Sequence, residues 1–211
     1  MSDPRTAILN RLRQAQRTGR LPAPARNVVV PAPKPFTSDE LLARFLGELA
    51  ALGVEAHVET NDSCVRERIR AIMADVENPL AFAWDAAWLP YGVGDIMPNT
   101  VLGSSPRDDQ ARAGIGVTGS DGAIAETGSV VVLAGEGRPR AASLLPPVHL
   151  AIVKRNDLRF AMGEYFRERA DAIASASSCM VVTGPSRTAD IELTLTLGVH
   201  GPGKVIVVVG P

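Results

Sequence analysis

Aromatic residues are scarce in this sequence: they make up only 4% of its 211 residues, although 45% of the residues are hydrophobic. The core must therefore be built from Val, Leu, Ile and Ala. The charged fraction of 21% is typical of a folded globular protein. A chain of this length predicts one domain of fair size with a single core.

Cysteine and histidine are also rare. Cys64 and Cys179 lie far apart and belong to no Cys-x-x-Cys pair. The histidines at 57, 149 and 200 show none of the spacings that bind metals. We therefore expect no disulfide framework, and no metal or iron–sulfur cluster held by this chain itself.

The chain lacks an excess of positive charge and any long apolar run. Its formal net charge is -1, and no stripe of Lys and Arg runs through the body, so nucleic acid is not an expected partner. The longest aliphatic run, Val205 to Val209, is too short to cross a bilayer. No apolar segment of the secretory type follows the N-terminus. We expect a cytoplasmic protein without a membrane span.

The N-terminal region predicts a helix and then an extended connector. Asp3 is a suitable cap and Pro4 a suitable first residue for a helix over residues 3–18. The arginines of this helix either dock on an acidic partner or form a solvated face. Five prolines from Pro22 to Pro35 then favour a polyproline-like segment. Residues 1–36 are thus predicted to be a helix and connector, and residues 37–211 an α/β domain.

From Thr37 onward, amphipathic helices alternate with short aliphatic strands. Predicted helices cover residues 37–52, a segment starting at 62 or 63, 106–113 and 157–177. Predicted strands cover 54–58, 80–84, 115–118, 130–133, 148–153 and 178–183. This alternation predicts a mainly parallel sheet with helices on both faces. Ligands of such sheets bind at the carboxyl ends of the strands, so the loops there are the candidate sites.

The first candidate is GIGVTGSDGAIAETGSVVVL, residues 114–133. Its glycines are spaced three apart, at Gly116, Gly119 and Gly122. They do not form a dinucleotide fingerprint, but they allow backbone to approach a ligand closely. A short helical turn is predicted from Ala123 to Thr127, ended by Gly128. Glu126 is then either a base or nucleophile at the sheet edge, or a surface glutamate of the last turn.

The second candidate follows the predicted strand 178–183 and reads TGPSRTAD. Its hydroxyls and the guanidinium of Arg187 suit a carboxylate or phosphate ligand. The alternative is a turn in which Arg187 pairs with Asp190, contributing roughly 0–1 kcal/mol if exposed. Residues 191–197 then alternate as a half-buried strand, which would pair with Val205 to Val209 as a hairpin, although their leucines and glutamate equally suit a short helix. His200, in the turn between them, has either a structural or a site role.

A third candidate is WDAAWLPYGVGDIMPNT, residues 84–100, which contains both tryptophans of the chain. An aromatic-rich loop over a sheet edge often covers a pocket or contacts a partner. The alternative is that Trp84 and Trp88 simply fill the core.

The segments TGSDGAIAETGSVVVL, SLLPPVHLAIV, TGPSRTADIE and GVHGPG, in this order, resemble the lactate utilisation protein C family, also called the LUD domain family. The resemblance runs from about residue 80 to the C-terminus. It implies a Rossmann-like α/β fold similar to the sugar-phosphate isomerase and CoA-transferase class. The motif positions carried over are Glu126, Thr127, Gly128, Gly184, Ser186, Arg187, Thr188, Asp190, His200 and Gly201.

The resemblance also implies a role in growth on L-lactate, which the family supports together with partner proteins that carry iron–sulfur clusters. This chain is then a cluster-free subunit for oxidation of lactate to pyruvate. The alternatives are a stand-alone CoA-transferase-like or sugar-phosphate-processing enzyme, or a regulator that binds a small anion. Glu126 and His200 are the catalytic candidates, and the ligand-binding candidates are Gly119, Thr127, Gly128, Gly184, Ser186, Arg187, Thr188 and Asp190. We expect Glu126, Arg187 and His200 to converge on one anion-attracting hollow.

Overall fold

A computed structural model of the chain describes residues 3–19, 36–97, 100–189 and 195–211. The chain divides into two compact units, Met1–Ala32 and Pro33–Pro211. In the first unit, helix α1 spans Pro4–Thr18, and the Asp3 carboxylate accepts hydrogen bonds from the first backbone N–H groups. The prediction of this helix and its cap is confirmed. The predicted proline-rich connector lies mostly outside the described residues.

The second unit contains five further helices in the described part of the chain: α2 (Ser38–Leu52), α3 (Asp62–Asp75), α4 (Arg107–Ala111), α5 (Met162–Glu168) and α6 (Ala170–Ser175). The start of α2 is held by a reciprocal capping box between Thr37 and Glu40, and its end by Gly53 at φ 73°. The predicted helix over residues 37–52 is confirmed.

The strands are β1 (Glu55–Val58), β2 (Ala81–Ala83), β3 (Ile115–Thr118), β4 (Gly122–Ile124), β5 (Ser129–Ala134), β6 (Val148–Lys154), β7 (Leu158–Arg159), β8 (Ser178–Val182), β9 (Arg187–Ala189), β10 (Leu195–Leu197) and β11 (Lys204–Gly210). A five-stranded sheet has the order β1-β11-β6-β3-β2, and all its neighbours are parallel. Its interior strands are aliphatic and buried, as both faces are covered. The predicted parallel α/β fold is confirmed.

A second sheet has the order β7-β4-β5-β8 and is mainly antiparallel. Side chains of β5 alternate between two environments: Val130 and Val132 join the main core, whereas Val131 and Leu133 pack with Tyr165 of α5. The second sheet therefore lies between the main core and the helices α5 and α6. The prediction that β8 belongs to the parallel sheet is therefore wrong.

Two predicted elements near this sheet are wrong. The helical turn over Ala123–Thr127 is instead the end of β4 and a turn, in which Gly128 has φ 63°. The long helix over residues 157–177 is interrupted, because its first residues form β7 alongside β4, and Arg169 has non-helical angles between α5 and α6. Pairing with the sheet overrides the helix-forming composition in both places.

The predicted hairpin between residues 191–197 and 205–209 is also wrong. Strand β11 lies inside the parallel sheet, between β1 and β6, and β10 pairs antiparallel with β9. The reason is burial: β11 is apolar on both faces, whereas Leu197 of β10 is 55% exposed. Residues 190–194 lie outside the described part of the chain. Among the described helices, none combines the length and the apolar character needed to cross a membrane.

Candidate functional site

A cleft of about 360 Å³ lies beside the amino ends of β6 and β11. Three of the predicted site residues line it: Gly184, Ser186 and His200. Its other walls come from the end of β8 and from the segment around Ser143 and Leu144. Three hydroxyls, an imidazole and aliphatic side chains therefore share one concavity, which is a chemical environment for a small, partly polar ligand.

Backbone hydrogen bonds between two loops shape this cleft. The Ser186 N–H donates to the Pro202 carbonyl at 2.9 Å, and the Gly198 N–H donates to the Ser186 carbonyl at 3.0 Å. Gly184 has φ 82°, and a Cβ there would lie 3.2 Å from the Leu52 Cβ of α2. The turn needs glycine for both conformation and space. The loop after β8 and the loop before β11 are thus held together, which places His200 and Ser186 on one wall.

Arg187 follows immediately but has a different partner. Its guanidinium donates to the backbone carbonyl of Leu52, the last residue of α2. Thr188 lies on β9, opposite Thr196 of β10. Asp190, and with it the proposed Arg187–Asp190 ion pair, falls outside the described residues.

Glu126 is an exposed residue of the turn between β4 and β5, where its backbone N–H donates to the Phe160 carbonyl at 2.9 Å. Next to it, a chain of hydroxyls runs from Thr127 to Ser129 at 2.7 Å and from Ser129 to Thr183 at 2.8 Å. This chain links the Glu126 turn to the cleft. Gly128 closes the turn against α2, where a Cβ would lie 2.9 Å from the Cβ of Glu48.

Of the three groups expected at one rim, only His200 lies in the cleft lining that the described residues form. The hydroxyl chain and α2 connect the segments of Glu126 and Arg187 to the cleft, but both side chains lie outside its lining. The catalytic roles of Glu126 and His200 stay predictions.

The cleft also lies at the opposite edge of the parallel sheet from the one expected. The loop after β8 was assigned to the carboxyl edge because β8 was placed in the parallel sheet. In the structure β8 belongs to the second sheet, and its carboxyl end meets the amino ends of β6 and β11. Gly119 does lie beyond the carboxyl end of β3, where a Cβ would be 2.8 Å from the Trp88 carbonyl oxygen. It therefore belongs to a different part of the molecule.

A buried histidine was missed as a special residue. His149 of β6 is fully buried, and its Nε2 lies 2.9 Å from the Thr118 hydroxyl of β3. Its Nδ1 has no hydrogen-bond partner within the described chain. Burial lowers the pKa of His149 to about 4. The sequence does carry a signal for this burial, because His149 lies within an otherwise aliphatic strand. No three His, Cys, Asp or Glu side chains of the described residues come together as a metal site.

These features define a mixed α/β protein with a parallel central sheet. The fold matches the crystal structure of a DUF162 family protein from Deinococcus radiodurans, with a TM-score of 0.68 and 19% sequence identity, over 84% of this chain and 100% of that chain. The LUD domain family matches residues 101–209, which contain both loops of the cleft. The chain belongs to the LUD domain family, and the resemblance noted in the sequence is confirmed.

Several relatives of the chain share a name. A lactate utilization protein C of Geobacillus sp. (strain WCH70) is 29% identical over 82% of this chain and 79% of its own length. One from Macrococcus caseolyticus is 30% identical over the same shares of the two chains. A third, from Halalkalibacterium halodurans, is 41% identical over 46% of this chain and 44% of its own length.

Proposed function

We propose that this protein acts in lactate utilisation, as a cytoplasmic subunit that carries no cluster and supports oxidation of L-lactate to pyruvate together with iron–sulfur partner proteins. The observation that carries the proposal is the similarity to proteins named lactate utilization protein C, which extends over 82% of this chain. The iron–sulfur clusters are assigned to the partners, in keeping with the sparse and scattered cysteines of this sequence.

The surface beside the cleft supports the role of a subunit. Four large aliphatic side chains on the segments that form or flank the cleft are exposed: Leu144, Leu145, Leu197 and Val199. Leu197 and Val199 are each more than half exposed. Exposed apolar side chains grouped in this way are typical of protein contact surfaces. We assign this surface to the contact with a partner protein, and the cleft beside it to a small anion.

The geometry gives less support to a stand-alone transferase. In such an enzyme Glu126 would act as a nucleophile or base inside the ligand site. Among the described residues, the lining of the cleft does not include Glu126, and Glu126 itself is exposed to solvent.

Affinity purification from cells grown on L-lactate tests the proposal. We expect the tagged chain to copurify with proteins that show iron–sulfur absorbance, and we expect its deletion to impair growth on lactate. The double variant Leu197→Asp, Val199→Asp should lose the copurified partners, whereas Met162→Asp, an exposed substitution on α5, should retain them. Normal growth of the deletion strain on lactate would contradict the proposal.

A further inference from the structure

A second cavity, of about 200 Å³, opens at the carboxyl edge of the parallel sheet. Each of three strands contributes a residue at or just beyond its end: Trp84 from β2, Ser120 from β3 and Lys154 from β6. Trp88, Asp121 and Arg138 also line it, together with Ala87, Leu89 and Pro90. This edge is where open parallel sheets bind their ligands. The cavity is distinct from the cleft around His200, which lies at the amino edge.

Arg138 is held in a defined position within this cavity. Its Nη1 donates to the Asp121 carboxylate at 2.9 Å, and that carboxylate also accepts from the Leu133 N–H at 2.8 Å. The guanidinium carbon lies 4.3 Å from the ring centroid of Trp88 and 5.7 Å from that of Trp84. An ion pair and two aromatic faces fix a guanidinium in this way before any ligand arrives.

Several polar groups of the lining lack a partner. The buried atoms Trp84 Nε1, Ser120 Oγ and Arg138 Nε accept or donate no hydrogen bond within the described chain. The Trp84 residue is only 3% exposed, so its indole N–H is shielded from bulk water. Indole and guanidinium nitrogens are donors only, so a ligand that satisfies the nitrogens of Trp84 and Arg138 must offer hydrogen-bond acceptors.

The charges of the lining are also unbalanced. Asp121 compensates Arg138, but the ammonium group of Lys154 forms no ion pair with any described residue. The cavity wall therefore has two cations and one carboxylate, together with donors that lack acceptors.

We propose that this cavity binds a small organic carboxylate, whose oxygens accept hydrogen bonds from Trp84, Ser120 and Arg138, and whose charge is balanced by Lys154. The cavity is smaller than the roughly 300–1,000 Å³ of sites for drug-sized ligands, which favours an acid of a few carbon atoms. The Ser120 hydroxyl both donates and accepts, so it also suits a hydroxyl or keto oxygen next to the carboxylate. The inference rests on these contacts, and only the choice of lactate as occupant would rest on the proposed function.

Tryptophan fluorescence reports on this cavity directly, because both tryptophans of the chain line it. The purified full-length protein is titrated with sodium L-lactate, pyruvate and acetate at constant ionic strength. Inorganic phosphate and sodium chloride serve as comparison anions. We expect a saturable fluorescence change with at least one of the carboxylates and none with chloride.

Two variants locate the binding. Lys154→Gln, at an exposed position, should weaken carboxylate binding at least about fivefold, since it removes the unpaired cation. Trp84→Phe keeps an aromatic ring but removes the indole donor, and should weaken binding similarly while Trp88 still reports. Lys204→Gln, the same substitution at the amino end of β11, is the matched control and should bind as the wild type.

A protein that shows no saturable response to any carboxylate would overturn the proposal. Equal affinity for phosphate, or equal weakening by Lys204→Gln, would overturn it as well. Binding of pyruvate or acetate without lactate would support the site and exclude lactate as its occupant. The lactate role itself is tested separately, by growth and copurification.

Discussion

The guanidinium of Arg187 donates a hydrogen bond to the backbone carbonyl of Leu52, the last residue of α2. This bond joins β9 to a helix that lies 135 residues earlier in the chain. A cation at the carbonyl end of a helix is favourable, because the carbonyl groups there lack partners and carry partial negative charge. Arg187 thus has a structural partner, whatever ligand it also contacts.

Arg187→Ala should lower the free energy of unfolding by about 1 kcal/mol, because a carbonyl at the end of α2 loses its donor. Urea unfolding at neutral pH measures the change. Arg187→Lys keeps the charge and should cost less. Unchanged stability in the alanine variant would show that the bond contributes nothing to folding.

Two glycines that face or belong to α2 should respond in opposite directions to alanine. Gly128→Ala should destabilise the protein by more than about 1 kcal/mol, because φ is 63° and the new Cβ would lie 2.9 Å from the Glu48 Cβ. Gly47→Ala, within α2, should stabilise it by about 0.5–1 kcal/mol, since the new Cβ would meet no atom within 4 Å beyond its chain neighbours and the backbone of its own helix. Thermal unfolding of both variants checks this. Equal shifts in the two would contradict the packing at Gly128.

Ser129→Ala should cost about 1–2 kcal/mol of stability. Ser129 is fully buried, and its hydroxyl contacts those of Thr127 and Thr183 at 2.7 and 2.8 Å. Removing it leaves two hydroxyls short of a partner. Ser175→Ala, in the exposed last turn of α6, is the control and should have little effect. Denaturant titration distinguishes the two, and equal effects would mean that the hydroxyl chain is unimportant for stability.

His149 should make the protein less stable as the pH falls from 6.5 to 4. Burial lowers the pKa of His149 from 6.5 to about 4, so the folded chain keeps it neutral while the unfolded chain binds a proton. The stabilisation is present above pH 6.5 and is lost as the pH falls towards 4, by up to roughly 3 kcal/mol. His149→Gln should flatten this part of the profile. Urea midpoints measured between pH 7 and about pH 4.5 test this, and an unchanged slope in the variant would contradict it.

The parallel sheet was predictable because its strands are short aliphatic runs with turn residues on either side. Ile115–Thr118 was predicted with its observed bounds, and β6 extends only one residue beyond its predicted end. Such runs indicate burial on two faces, and the helices with caps between them indicate crossovers.

The sheet to which β8 belongs was not predictable in the same way. Its apolar residues suit a strand in either sheet, and composition does not encode which neighbour a strand selects. That one misplacement moved the predicted site to the wrong edge of the parallel sheet. The sequence predicted that the loop of Arg187 and the loop of His200 converge, but the partner of Arg187 depends on the tertiary fold alone.

Strand β5 separates the two hydrophobic clusters of the second unit, with Val130 and Val132 on one side and Val131 and Leu133 on the other. Detachment of α5 and α6 would uncover one side of this strand but leave its pairing with β4 and β8 in place. Unfolding of either cluster removes the hydrophobic contacts on one face of β5. We expect the amide protons of this strand to be among the slowest to exchange with deuterated solvent, at a rate set by global unfolding.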